Sequence, residues 1–354
     1  MGSLSEQVHL CLAILAYAGL WGPSARADVA LHKELEGWLG RVGATSSCSL
    51  VWGPTQFRPW WQPSVPSVMM FVVAPTGVVD APLTIVVRGG APVRLGDTPI
   101  DWEGSLTQEP WIWARDEGEL APAICGAVDR QLRAVREMTP EEGVPGAGRT
   151  LPEFLAECVE ASPRGHRLSV GVTGHGAGGT LATAAALWLL DTQGSSSARA
   201  VSWDARCRAK VHCRAFAGPT VGNVDFARYL GERMGEALDL VHNSLDAAPL
   251  LWDPEGLSRL PELYLPQVRE AALSRAVGRA LSNEIERCGI DYEQPPARSL
   301  KGTLNVQLPA SFAAQAEYQH LQAYLPLLGL GPDTIDLDAL LGRRGGVDGG
   351  PVSQ

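Results

Sequence analysis

An α/β fold, with a mostly parallel central sheet and helices on both faces, is what this sequence predicts, and three observations predict it. Strand-like segments over 168–173, 211–217 and 238–243 alternate with helical segments at 177–190 and 225–236, and such alternation builds a parallel sheet covered on both sides. The runs at 67–74 and 83–87 carry almost no charge, as strands buried on both faces must. At 354 residues and 45% hydrophobic content, the chain can close one large core with surface insertions.

The elements follow in order. The apolar run 10–21, trailed by Ala25-Arg26-Ala27, imitates a secretory leader, but Glu6 is the only charge before it. Twelve apolar residues are also too few to span a bilayer. Val8, Leu12, Leu15 and Gly19 share one helical face, so a buried first helix and a cytoplasmic location are expected, with export by another route left open. The Trp- and Pro-rich stretch 51–66 reads as loop. The runs 67–74 and 83–87 read as a hairpin. Residues 89–118 show no period and read as a long loop. A helix over 122–138 turns Ile124, Val128, Leu132 and Val135 inward. The Gly- and Pro-rich 139–149 is a surface excursion, and 266–287 and 312–328 are helical. One domain over 1–330 is expected, followed by a partly disordered Gly-rich tail over 331–354.

A net charge of −10 and a pI near 5.2 argue against a nucleic-acid surface, and no basic run suggests a membrane patch. Seven cysteines stand at 11, 48, 125, 158, 207, 213 and 288 with no CxxC. They read as reduced, Cys207 and Cys213 included. His9, His32, His166, His212 and His242 form no ligand pair at helical spacing, so no metal site is expected.

The sharpest signal is Thr173-Gly174-His175-Gly176-Ala177-Gly178-Gly179 between a strand and a small-residue helix. A nucleophile on a strained strand-to-helix turn needs glycine two positions before and two after it. Gly174 and Gly178 fill those places, so Gly176 stands where the serine of G-x-S-x-G would be. Gly174, Gly176 and Gly179 also spell G-x-G-x-x-G, the dinucleotide fingerprint. That motif calls for an acidic residue about twenty positions on, where this chain has Ser195-Ser196-Ser197-Ala198-Arg199.

Further along, Asp246 follows the strand 238–243, and His320 stands in Tyr318-Gln319-His320-Leu321. Nucleophile position, acid and histidine at 176, 246 and 320 fall in the order used on sheet hydrolases. An imidazole takes the hydroxyl proton, and a carboxylate fixes its tautomer. Asp204, Asp239 and Asp253 are less well placed acids. His175 reads as a positioning residue, and a helical His320 could also be an ordinary core histidine.

With these residues in view, the chain resembles the class 3, fungal-lipase-like family of the α/β-hydrolases in a bacterial form, over about 8–330. The resemblance rests on 12–17, on Val86-Val87-Arg88-Gly89-Gly90 with Asp101-Trp102, on the elbow, on 217–223 and 243–249, and on His320 with Tyr324. It implies a carboxylic ester hydrolase acting on lipid or other acyl esters, without a cofactor and with transient contact at a lipid interface. It implies that the backbone NH groups of Gly90 and Ala177 form the oxyanion hole, although Gly90 replaces the family's usual serine or threonine. It also implies a lid over 91–111. Trp60, Trp61, Met69, Met70, Trp111 and Trp113 could line an acyl groove or simply fill the core.

Three accounts of Gly176 stand open: a serine-to-glycine variant of a working hydrolase, a non-catalytic acyl-binding or interaction protein, and direct activation of water by His320 and Asp246.

Overall fold

The computed structural model describes residues 4–20, 27–58, 68–90, 106–115, 119–194, 202–268 and 271–342. In chain order the strands are β1 (Cys48–Phe57), β2 (Val68–Pro75), β3 (Leu83–Arg88), β4 (Gln108–Pro110), β5 (Ala123–Cys125), β6 (Leu168–His175), β7 (Ala209–Phe216), β8 (Gly222–Asn223), β9 (Leu238–Asn243), β10 (Tyr292–Glu293) and β11 (Arg298–Leu300). Seven of them form one sheet in the order β1-β2-β3-β6-β7-β9-β11. Its first two pairings are antiparallel and the next four parallel. The remaining four make a small antiparallel sheet, β10-β8-β5-β4.

Alternation along β2 explains its uninterrupted apolar sequence. Val68, Met70, Val72 and Ala74 enter one core layer, while Met69, Phe71 and Val73 enter the other. A strand buried on both faces has no polar side to show. The first layer is covered by α3 (Gly126–Glu137), α4 (Leu151–Ala161) and α5 (Ala177–Thr192). The second is covered by α1 (Glu6–Leu15) and α2 (Asp28–Arg41).

Helix α1 starts where the Ser5 hydroxyl accepts from the Val8 NH at 3.3 Å, and residues 9–20 behind it are buried. The run that imitates a leader is therefore a core element, lying against the central strands β3, β6 and β7. No described helix is long and apolar enough to cross a membrane.

Several sequence expectations need correction. Residues 51–57 are strand, because β1 sits at the sheet edge and is bulged between Trp52 and Thr55, the setting in which Pro54 is tolerated. The excursion 139–149 packs on that strand, with the Gly53 NH donating to the Pro145 carbonyl at 2.9 Å and Trp52 Nε1 to Arg149 O at 3.0 Å. The expected loop 89–118 contains β4, and the helix expected from 122 starts only at Gly126, after β5. Of the lid expected over 91–111, residues 91–105 lie outside the described residues, as do Trp60, Trp61, Asp101 and Trp102.

Helix α6 (Val224–Met234) precedes β9, and after β9 come α7 (Pro254–Arg259), α8 (Ala271–Cys288), α9 (Phe312–Glu317), α10 (Tyr324–Leu327) and α11 (Leu337–Leu340). The expected helix 312–328 is interrupted by a π-type turn at Tyr318–Gln322. Ordered structure also runs past 331: Ile335, Leu337, Leu340 and Leu341 are buried beside α1 and α2, and residues 343–354 lie outside the described set. All seven cysteines are unbridged.

Candidate active site

The site forms where β6 passes into α5. Gly176 has φ +59° and ψ −129°, a conformation that costs a residue with a Cβ about 1–3 kcal/mol and glycine almost nothing. The turn is tied down by Gly176 NH donating to Phe216 O at 2.9 Å and Gly179 NH donating to Gly176 O at 2.8 Å. Close approach explains the flanking glycines. A Cβ on Gly174 would lie 2.1 Å from the Gly178 carbonyl oxygen, and one on Gly178 would lie 2.5 Å from Val87 O. What crowds these glycines is the chain's own backbone, and β7 ends at Phe216 and runs into Ala217-Gly218 with no carboxylate. Neither feature answers to the dinucleotide motif.

A Cβ on Gly176 would point at His320. It would stand 2.9 Å from Nε2, 3.2 Å from Cε1 and 3.2 Å from the Tyr17 hydroxyl. The other ring nitrogen of His320, Nδ1, lies 3.0 and 3.1 Å from the two oxygens of Asp246. Asp246 is inaccessible to solvent, whereas His320 is 23% exposed. Two further groups hold the carboxylate: the Tyr324 hydroxyl donates to Oδ2 at 2.9 Å, and the Ala248 NH donates to Oδ1 at 2.9 Å. Residues 176, 246 and 320 thus meet at one end of the sheet, with nitrogen, nitrogen and carboxylate in series.

Electrostatics follow from burial and from this pairing. Burial pulls the His320 imidazole down, but the Asp246 charge and hydrogen bond outweigh it and leave the pKa above 6.5. His175, wholly buried and then repelled by His320, is held well below 6.5. Its ring packs on His320 with centroids 4.7 Å apart, and its Nδ1 lies 2.9 Å from the Tyr17 hydroxyl. His175 is a neutral positioning group.

Tyr17 is fixed in turn by Arg88, whose Nη1 donates to the carbonyls on either side of it, Ala16 O at 3.1 Å and Ala18 O at 3.3 Å. Burial pushes the guanidinium pKa down to about 10. Sequence reading assigned Tyr17 and Tyr324 no role. Tyr324 follows His320 by four residues, a spacing that brings side chains together on a helical turn and could have revealed it. Tyr17 ends the segment 12–17 that carries part of the resemblance, but its partner is 158 positions away.

At the candidate oxyanion hole, Gly89 packs against the elbow so tightly that a Cβ there would meet Ala177 O at 2.6 Å. Ala177 is exposed. The Gly90 NH donates to Gln131 Oε1 at a long 3.3 Å, a second contact absent from the sequence reading. A Cβ on Gly90 meets nothing within 4 Å, so the hydroxyl residue usual at that place would fit.

The alternative acids have other work. Asp204 accepts from Gln193, Arg208 and Ala209, Asp239 pairs with Arg214 at 2.7 Å, and Asp253 caps α7 through the Gly256 NH. Met69, Met70, Trp111 and Trp113 are core side chains, with Met69 and Met70 on opposite faces of the sheet.

Residues 138–252 match the family model for class 3 lipases, a stretch that holds the elbow and Asp246. The crystal structure of M37 lipase superposes with a TM-score of 0.84 at 27% identity, covering 97% of this chain and 98% of that one. Lipase II from Rhizopus niveus has a TM-score of 0.44 at 17% identity over 70% of this chain and 74% of its own, too loose a likeness to bear on function. No curated protein matches the chain.

Proposed function

We propose that this chain, which matches the class 3 lipase family model over residues 138–252 and M37 lipase over 97% of its length, is a lipase-type carboxylic ester hydrolase scaffold that takes lipid or other acyl esters and, with glycine at 176, forms no acyl-enzyme. One observation carries this reading: the side-chain direction at residue 176 points at His320 Nε2, while Nδ1 of the same ring is held by Asp246 at 3.0 Å.

With a serine at 176, the steps follow from the positions. The hydroxyl oxygen would attack the ester carbonyl as its proton passes to His320 Nε2. Asp246 would hold the Nδ1–H and support the imidazolium. The Gly90 and Ala177 NH groups would receive the carbonyl oxygen as it gains charge, and His320 would return the proton to the departing alcohol. Water would then release the acid by the same path. Glycine removes the attacking atom and leaves the rest, so turnover falls to what positioning and electrostatics supply, about 10³–10⁴ over the uncatalysed rate in triads stripped of members.

The test is Gly176→Ser assayed on p-nitrophenyl esters. Activity should rise about 10³-fold or more over the glycine form and be lost again in Gly176→Ser/His320→Ala. A folded, ester-binding Gly176→Ser protein without turnover would overturn the hydrolase reading.

A second reading, an acyl-binding protein without catalysis, is favoured by two contacts. His320 Nε2 has closed to 2.9 Å from the Cβ position, tighter than a working serine would allow. Gln131 also occupies an oxyanion donor. Under that reading the serine variant responds weakly, because a misplacement of about 1 Å costs a hundredfold.

A further inference from the structure

The sequence has no basic run, yet the fold assembles a basic patch. Segment 163–167 carries Arg164 and Arg167 and segment 205–210 carries Arg206, Arg208 and Lys210, and parallel pairing of β6 with β7, Ser169 opposite Lys210, sets them side by side. Arg164, Arg167, Arg206 and Lys210 are exposed there. Arg208 binds the two segments together, its Nη2 donating to Ser162 O at 2.5 Å and Pro163 O at 3.2 Å.

Between these segments and the β2–β3 turn lies an open cleft of about 390 Å³, walled by His166, Arg167, Ser169 and Lys210 on one side and Asp80 and Pro82 on the other. The tip of the same β2–β3 turn exposes two valines. Val79 is 83% exposed, the highest of any exposed large apolar side chain among the described residues, and Val78 is 37% exposed.

We infer that this pole, at the start of β6 and β7, is a docking surface for an anionic lipid bilayer, with Val78 and Val79 entering the interface and Arg164, Arg167, Arg206 and Lys210 meeting lipid phosphates. Charge and apolar exposure point to the same partner. An apolar tip beside cations matches the depth profile of a bilayer surface, where hydrocarbon lies beneath a layer of anionic headgroups. A soluble anion would use the cations and leave the valines in water. The chain as a whole carries −10, so an anionic surface repels most of it and selects this pole by orientation.

The pole lies at the opposite end of β6 from the elbow. Over the eight residues of β6 that is roughly 23 Å at about 3.3 Å per residue. Docking here therefore leaves Gly176 and His320 facing away from the anchoring surface, and it is independent of the residue at 176.

The experiment is flotation of the full chain with vesicles of phosphatidylcholine alone and of phosphatidylcholine mixed with phosphatidylglycerol. Binding is expected only to the mixed vesicles, and it should weaken with added salt. Arg167→Glu/Lys210→Glu should weaken it by at least about 25-fold, at about fivefold per cation removed near the surface. Val78→Ser/Val79→Ser should weaken it without changing its salt dependence. Asp80→Asn provides a gain that damage to the fold cannot mimic: Asp80 already has φ +53°, a conformation asparagine also tolerates, and losing its charge should tighten binding about fivefold. Equal binding to both vesicle types, no binding to either, or mixed-vesicle binding indifferent to all three variants would overturn the inference. Loss in the charge variant with none in the valine variant would assign the cleft to soluble anions and overturn the bilayer assignment.

Discussion

His320 is pulled in two directions, and its titration reports which one prevails. Burial favours the neutral ring, the Asp246 carboxylate favours the cation, and the cation wins, so the folded pKa lies above 6.5. The stabilisation from this pair is therefore full below the unfolded value of about 6.5 and is lost as pH rises through the folded value. Asp246→Asn keeps the shape and removes the charge, leaving burial in command. The His320 Cε1 proton, followed by NMR, should titrate above 6.5 in the parent and below it in the variant; equal midpoints would refute the pairing. In Gly176→Ser, ester hydrolysis should rise with pH as His320 loses its proton, since only the neutral ring accepts one. The same substitution has a conformational cost. At φ +59° and ψ −129°, a Cβ should destabilise the protein by about 1–3 kcal/mol in urea unfolding. It must also move His320, whose Nε2 is 2.9 Å from the place that Cβ would take. The serine form should be the less stable and the more active; a serine form as stable as the parent would mean that the elbow relaxes.

Helix α1 shows what a local pattern can and cannot say. Its apolar positions were legible as a helix face, yet residues 10–15 are buried all round, at 0–1% exposure, because the helix lies between β3, β6 and β7 and Ile335, Leu337 and Leu340, and the turn after it carries Tyr17 to His175. That contact spans 158 positions, a separation that helical periodicity cannot report. Leu12→Ala should cost about 2–5 kcal/mol, the range for emptying a fully buried leucine site. A loss within about 0.5 kcal/mol, as for an exposed position, would contradict the core assignment. The same limit explains the strands that escaped notice. β1 contains Pro54, which local rules read as loop, but an edge position needs hydrogen bonds on one side only. β4, β5, β8, β10 and β11 are two or three residues long, too short for a period to show, and are defined by their pairings alone. By contrast, β2 and β3 were legible because strands buried on both faces write continuous apolar runs, and β6, β7 and β9 because apolar residues recur along them between helical segments. The elbow was legible because backbone packing leaves no room for a Cβ at 174 or 178.

Taken together, the fold brings three residues spread over 145 positions, 176 to 320, to one end of a seven-stranded sheet, and puts a basic, apolar-tipped pole at the other. The residues of the first arrangement stand in chain order, Asp246 just after β9 and His320 in the turn Tyr318–Gln322, the order used on sheet hydrolases. The second was invisible in sequence, because neither 163–167 nor 205–210 is a basic run and only the β6–β7 register joins them. What unifies the elbow end is one direction in space: a side-chain oxygen at 176 would reach His320, backed by Asp246. The most direct measurement is the intact mass of the purified Gly176→Ser protein after exposure to a fluorophosphonate ester, beside the parent and Gly176→Ser/His320→Ala. One phosphonyl adduct per chain, mapped by peptide sequencing to residue 176, formed rapidly in the single variant, slowly in the double and not at all in the parent, is the predicted result. An adduct at another residue, or equal labelling of parent and variant, would contradict the assignment of residue 176 as the nucleophile position.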